Sequence, residues 1–274
     1  MGRSKQGKTT SLYFYARSQI GKLGKKILVV NVDGGSEGYW ESTDIKDKVR
    51  VVYPMKYKAK LAVMRYLSQG MVPKDVEGKK MVQIDLNQYS DVFWEGLTAT
   101  AEMFMSHLAT HEDLQGVKHA LAPAGTFSDG DETFSVNSIS HYNLVHKELK
   151  KLLLEGFYKL PLNVMITALL DEGEDEYKNN VMGPATVGKA ITHKVTSWVP
   201  DSFHQECVRM KGDLKYRVWF DSHVDKGSQL PVLSGARMIP SMREKFLELY
   251  PKGYLPVNER EGLQTFYEFR EGLK

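Results

Sequence analysis

Cysteine is almost absent from this chain: Cys207 is the only one. No intrachain disulfide can form, and such usage suits a reducing cytoplasm. Cys207 has no CxxC partner and is expected in the core. Long apolar runs are also missing. ILVV at 27–30 is far short of the roughly 20 residues that cross a bilayer, so no membrane partner is expected. The first residues hold Gly, Lys and Thr where a leader would need an apolar stretch, so no signal peptide is expected. Charge of neither sign dominates. Lys and Arg number 37 against 34 Asp and Glu, a net charge of +3 that permits a nucleic-acid partner without demanding one. There is no internal repeat or low-complexity tract. Two histidines, His107 and His111, stand i,i+4 on an expected helix, and His141 and His146 are five apart. No H-E-x-x-H pattern accompanies them, and catalytic zinc needs three organised ligands.

What remains is an ordinary globular composition, 42% hydrophobic and 26% charged over 274 residues. That is enough for one large α/β domain or two small ones. Strand and helix signals alternate. ILVVNVD (27–33) and VRVVY (49–53) read as strands, KAKLAVMRYLSQG (58–70) as an amphipathic helix, and MVQIDL (81–86) and DVFWEG (91–96) as strands. LTATAEMFMSHLATHE (97–112) and HYNLVHKELKKLLLEGFYKL (141–160) follow helical spacing, and LPLNVMITALL (160–170) reads as a buried strand. An insertion is expected over 113–138, an exposed acidic excursion over 171–180, and a hairpin over 205–223 turning at Lys211-Gly212-Asp213. Residues 224–274 are rich in Pro and Gly and read as an irregular extension with one short helix near 241–249. Such alternation predicts an α/β domain over 1–223 with a mainly parallel sheet and helices on both faces.

Residues 2–9, GRSKQGKT, fit the phosphate-binding loop G-x-x-x-x-G-K-[ST]. Gly2 and Gly7 frame a turn whose backbone N–H groups can face phosphate oxygens. Arg3, Ser4, Lys5, Gln6 and Thr10 complete the expected nucleotide cradle. Lys8 would reach the β- and γ-phosphates, and the Thr9 hydroxyl would sit on Mg²⁺. The helix expected after the loop adds a favourable dipole for anions. The motif ordinarily follows a buried strand, and here only Met1 precedes it. The first strand is therefore missing, and the start is expected to be truncated or wrongly chosen.

Hydrolysis needs a carboxylate to organise Mg²⁺ and another to orient water, both at the carboxyl ends of strands. Asp33 ends ILVVNVD before two glycines, a position that also suits a turn. Glu95 ends DVFWE directly before a strong helix, as a crossover unit requires, and is preferred over Asp85 as the Mg²⁺ acid. Thr167 ends NVMIT and could touch the γ-phosphate or the attacking water. Lys215, Arg217 and Lys226, with Lys211, cluster around Tyr216 and Trp219, a mixture that suits single-stranded nucleic acid and equally an ordinary solvated hairpin.

The order GRSKQGKTT, ILVVNVDGGS, VFWEGLTATAEMFM, LPLNVMITA, GPATVGKA resembles the RecA-like P-loop ATPase family common in bacteriophage genomes, over about residues 2–240. The resemblance implies ATP binding, Mg²⁺-dependent hydrolysis, and a role in phage recombination and single-strand DNA metabolism. It puts Asp33 at the water-activating acid and Glu95 in the Walker B strand, with Asp and Glu interchanged relative to the family's usual pattern. GPATVGKA, with Gly183, Pro184, Gly188 and Lys189, is similar to a loop after the family's sensor strand. The alternative is a degenerate nucleotide-binding structural or assembly protein without turnover. A ring or filament is implied, with Lys189, Lys194 or Arg237 completing a neighbour's site.

Overall fold

Strands covered on both faces need apolar side chains at successive positions, and KILVVN and VFW supply them. The computed structural model of the protein describes residues 1–2, 6–36, 38–110, 125–129, 132–136, 139–188, 192–210 and 213–272. Helix α1 (Lys8–Leu23) leads into β1 (Lys26–Asn31), β2 (Val49–Val52), α2 (Tyr57–Tyr66), the short strands β3 (Met71–Pro73) and β4 (Met81–Gln83), then β5 (Tyr89–Glu95) and α3 (Leu97–Thr110). There follow β6 (Gly125–Asp129), β7 (Glu132–Val136), α4 (Ile139–Lys151), β8 (Asn163–Thr167), β9 (Leu170–Glu174), β10 (Asn180–Pro184) and α5 (Thr192–Trp198). The remainder holds β11 (Asp201–Ser202), β12 (His204–Met210), β13 (Asp213–Trp219), β14 (His223–Val224), β15 (Pro231–Val232), β16 (Gly235–Ala236), α6 (Pro240–Leu249), β17 (Tyr254–Val257) and α7 (Leu263–Gly272).

The central sheet is parallel, in the order β2-β1-β5-β8. Alternation along its strands sorts the core into two layers. Leu28, Val30, Val92 and Trp94 face one way and pack with Val63 of α2, Phe104 of α3 and Leu149 of α4. Ile27, Val29 and Phe93 face the other way and pack with Leu12, Tyr15 and Ala16 of α1 and Leu263 of α7. Each fully buried large side chain contributes about 1.5–3 kcal/mol of transfer free energy. The protein is thus a mixed α/β fold with helices on both faces of a parallel sheet. Among the described residues no helix is long and apolar enough to cross a membrane.

Several expectations need correction. MVQIDL joins no central strand: β4 pairs antiparallel with β3, and Asp85 caps a short 3₁₀ turn by accepting from the Asn87 N–H at 3.0 Å. The long helix ends at Lys151 and continues as a π turn, Leu152–Gly156, and a 3₁₀ turn, Phe157–Lys159. β8 is only half-buried, because among the described residues it pairs with β5 alone. The acidic excursion is largely exposed as expected but is not all loop: residues 171–174 belong to β9, 175–179 form the turn, and Asn180 opens β10. The tail is not irregular: β17 is the third strand of a β12-β13-β17 sheet, and α7 packs on α1's side of the core. Within the expected insertion, β6 and β7 pair antiparallel, and its other residues lie outside the described ones.

Candidate phosphate-binding site

Parallel sheets end in a row of loops at the strands' carboxyl ends, and four loops meet there. Gly7 precedes α1 in the left-handed region, at φ +77°. A Cβ on it would lie 2.5 Å from the Tyr216 ring, so glycine is required both by conformation and by space. The loop is pinned at its base. Met1 donates its amine to the Phe203 carbonyl at 2.7 Å, and its own carbonyl accepts from Gln205 N at 2.7 Å. Gly2 donates to the Ala168 carbonyl and accepts from Leu170 N, both at 3.2 Å. The Gln6 side-chain oxygen accepts from the Cys207 backbone N–H. That contact ties the loop to β12 and leaves Cys207 half-buried, not in the core as expected. Arg3, Ser4 and Lys5 lie outside the described residues.

Lys8 points back across the loop, its Nζ donating to the Gly2 carbonyl at 2.9 Å. Burial lowers its pKa, and the nearby charges of Asp33 and Glu95 oppose that. Glu95, at the tip of β5, is 3% exposed. It accepts hydrogen bonds from Ser36, from Trp40 Nε1 at 3.1 Å and from Thr9. Burial raises its pKa; those bonds oppose the rise, and the Asp33 charge adds to it. Its Oε1 is buried without a hydrogen-bond partner. Thr10 shares a side-chain hydrogen bond with Tyr39.

Asp33 is exposed at the tip of β1, and its Oδ1 accepts from Gly35 N at 2.8 Å in a tight turn. Its Cβ would be 3.0 Å from a Cβ placed on Gly96, whose φ is +109°, so the two strand tips touch only because residue 96 is glycine. Thr167 Oγ1 accepts from Gly96 N at 3.1 Å, tying the tip of β8 to that of β5. Thr98 Oγ1 binds onward, accepting from Leu169 N at 3.0 Å and donating to the Ala185 carbonyl at 2.8 Å. Thr9, Lys8, Asp33, Glu95 and Thr167 are therefore brought to one end of the sheet, and Asp85 is not.

Sequence reading missed three contributors. Lys60 of α2 is 5% exposed; burial lowers its pKa while the Asp33 charge opposes this. The available signal was a lysine in helical register with Val63 and Leu67 on the apolar face. Ser36 and Trp40, which hold Glu95, gave no signal beyond following a glycine pair.

Other candidates sit elsewhere. Arg217 is bound to Glu206 at 2.8 Å and lies over Tyr254 at 4.8 Å, and Trp219 stacks on His223 at 3.9 Å. Both are thus engaged within the protein, while Lys215 and Lys226 are exposed. His107 stacks on Tyr57 at 3.5 Å and His146 Nε2 lies 2.9 Å from the Val187 carbonyl; His111, Lys189 and Lys211 lie outside the described residues. Lys194 is exposed, and Arg237 donates to the Ser197 carbonyl at 3.1 Å. Among the described residues no three His, Cys, Asp or Glu side chains converge as a metal cage. A Mg²⁺ held mainly by phosphate oxygens and water needs none. No protein-family model and no curated protein matches the chain.

Proposed function

We propose that this protein is a RecA-like P-loop ATPase that binds ATP with Mg²⁺ on the Gly2–Thr10 loop and acts on single-stranded DNA in phage recombination. The observation that carries the reading is the meeting of Thr9 and the buried, partly unpartnered Glu95 at the tip of a central parallel strand, beside Lys8. A hydroxyl and a carboxylate with a spare oxygen are the donor set a phosphate-bound Mg²⁺ takes from protein. Thr9 and Glu95 would hold Mg²⁺, which when bound neutralises charge on the phosphate oxygens. Lys8 exchanges the Gly2 carbonyl for phosphate oxygens, a stronger charge-assisted bond. Asp33 orients water for attack on the γ-phosphorus. As the new P–O bond forms and the bond to the β-phosphate oxygen breaks, the water's proton passes to the Asp33 carboxylate. Thr167 fixes the Gly96 turn between the two acids.

The test is an ATP titration of the wild type and Lys8→Ala. Loss of a charge-assisted phosphate contact, about 1.5–3 kcal/mol, weakens binding by roughly ten- to a hundredfold. Equal affinity of the two proteins would remove the site assignment.

A second reading is nucleotide binding without turnover, in a structural or assembly role. One observation favours it: Asp33, a methylene shorter than glutamate, is occupied in its own turn, and a displacement of about 1 Å can cost on the order of a hundredfold in rate. ATPase assays with and without single-stranded DNA separate the two. DNA-stimulated phosphate release supports the enzyme, and binding with no release supports the second reading.

A further inference from the structure

Two polar atoms at the carboxyl end of the parallel sheet are buried without a hydrogen-bond partner, and they stand on neighbouring strands. Asn31 closes β1, Glu95 closes β5, and the two are opposite each other in the parallel register. Adjacent strands lie about 4.8 Å apart. Alternation puts both side chains on the α1 face, because Ile27 and Val29 precede Asn31 in that layer and Phe93 precedes Glu95. Asn31 is fully buried. Its Oδ1 accepts from Gly34 N at 2.9 Å, in the turn that carries Asp33. That bond fixes the orientation of the amide, since a flipped one would set N–H against N–H. The nitrogen Nδ2 is left without a partner, as is Glu95 Oε1. An unmet donor and an unmet acceptor in one buried place are costly to keep. Together they suit a particular ligand. The carboxylate oxygen calls for a cation and the amide N–H for an oxygen acceptor. Side by side they match the two halves of a phosphate oxygen bound to a metal ion. A single water meets the same two needs. Phosphate is favoured by what surrounds the pair: Thr9 bonds Glu95, and the charges of Lys8 and Glu95 act on each other.

We propose that Asn31 reads the terminal phosphate: its Nδ2 donates to an oxygen of the γ-phosphate while the free Glu95 oxygen faces the Mg²⁺ on that phosphate, so that the site prefers ATP to ADP. The assignment rests on the nucleotide reading given above and adds the residue that tells the two nucleotides apart. Position supports it. Asn31 holds the turn of Asp33, the acid read as orienting the attacking water, so donor and acid share the strand tip to which the γ-phosphorus must come. Both unpartnered atoms are closed to solvent, so the phosphate and its metal enter as the Ser36 hydroxyl leaves Glu95.

The experiment measures the affinity of the 274-residue chain for a non-hydrolysable ATP analogue and for ADP, each with Mg²⁺, in the wild type, Asn31→Leu and Asn31→Asp. Leucine keeps the volume and removes both ends of the amide. Aspartate keeps an oxygen for Gly34 N and removes the donor. Both variants are expected to bind the ATP analogue at least about tenfold more weakly, as the loss of a hydrogen bond to a charged group requires, and ADP within about twofold of wild type. Hydrogen exchange at the Gly34 amide reports the turn, slow in the wild type and Asn31→Asp and faster in Asn31→Leu. In the wild type the Asn31 side-chain amide resonance, identified by its loss in the variants, is expected to shift with the ATP analogue and not with ADP. An affinity ratio unchanged in both variants overturns the proposal. So does a ratio that falls in Asn31→Leu and is restored in Asn31→Asp, which would leave the turn as the only role. A resonance that moves alike with both nucleotides also overturns it, and points to a bridging water. If the leucine variant does not fold, the aspartate variant and the resonance decide. These failures leave nucleotide binding in place, whereas a wild type that binds neither nucleotide removes the nucleotide reading and this assignment together.

Discussion

Glu95 and Asp91 share a strand and differ in consequence. Each has one buried oxygen without a partner, but Glu95 lies at the open end of β5, whereas Asp91 is buried near the other end, its Oδ1 accepting from Tyr15 Oη at 2.9 Å. Glu95→Gln keeps the shape and an acceptor for Ser36 and Trp40 but removes the charge. ATP turnover is expected to fall by about a hundredfold or more with the melting temperature little changed; turnover at the wild-type rate would remove Glu95 from the chemistry. For Asp91 burial raises the pKa, and the hydrogen bond from Tyr15 offsets only part of that. The folded protein therefore holds this proton to higher pH than the unfolded chain does. Stability from this group is full below the unfolded value of about 3.9 and is lost as pH rises through the folded value. Asp91→Asn is neutral at every pH and still accepts from Tyr15. It is expected to melt a few degrees above wild type at pH 7, where 1 kcal/mol is worth about 2–4 °C, with the gap closing towards pH 4. Melting curves across that range check the sign, and a variant no more stable than wild type at pH 7 would contradict it.

At the scale of elements, the turn before α1 is the most constrained. Gly7→Ala puts a Cβ both into the left-handed region and 2.5 Å from the Tyr216 ring. A loss of about 1–3 kcal/mol is expected, together with weaker ATP binding. Adding Tyr216→Ala relieves the clash but not the backbone strain, so the double variant should recover part of the Gly7→Ala loss and no more. Denaturation of all four proteins of the cycle reads that coupling directly. The same elements show what a sequence discloses. The central strands were legible because burial on both faces writes an unbroken apolar run, as in ILVV, and the tips at Asp33, Glu95 and Thr167 were legible as polar residues ending such runs. β17 was not, because Pro256 argues against a strand; it is tolerated since, among the described residues, β17 pairs with β13 alone. Lys60 was hidden because a lysine on a helix is ordinarily a solvent residue, and only tertiary packing puts it at the Asp33 end of the sheet. The half-burial of β8 depends on what stands beside it, which no local pattern records.

For the whole molecule the open question is where a cation for developing charge on the γ-phosphate comes from. Lys60 offers one within the protein, buried and within electrostatic reach of Asp33. A site shared between copies would instead use an exposed cation such as Lys194 or Arg237. The two arrangements differ in kinetic order. With Lys60 as the source, turnover per molecule is independent of protein concentration, and Lys60→Met lowers it while Lys194→Ala and Arg237→Ala do not. With a shared site, protomers must stack head to tail, a heterologous contact that closes into rings or extends as filaments. Specific activity then rises with concentration as the assembly forms, and light scattering rises in parallel on adding ATP and single-stranded DNA. Arg237 now donates to the Ser197 carbonyl, so Arg237→Ala removes one exposed hydrogen bond and should cost less than about 1 kcal/mol of stability. A large loss of activity in that variant is then attributable to the neighbour's site, not to folding. The RecA-like reading predicts the concentration-dependent outcome. A protein that stays monomeric at micromolar concentration with ATP and single-stranded DNA, and hydrolyses ATP at a constant rate per molecule, would rule out the shared site and leave Lys60 as the cation to test.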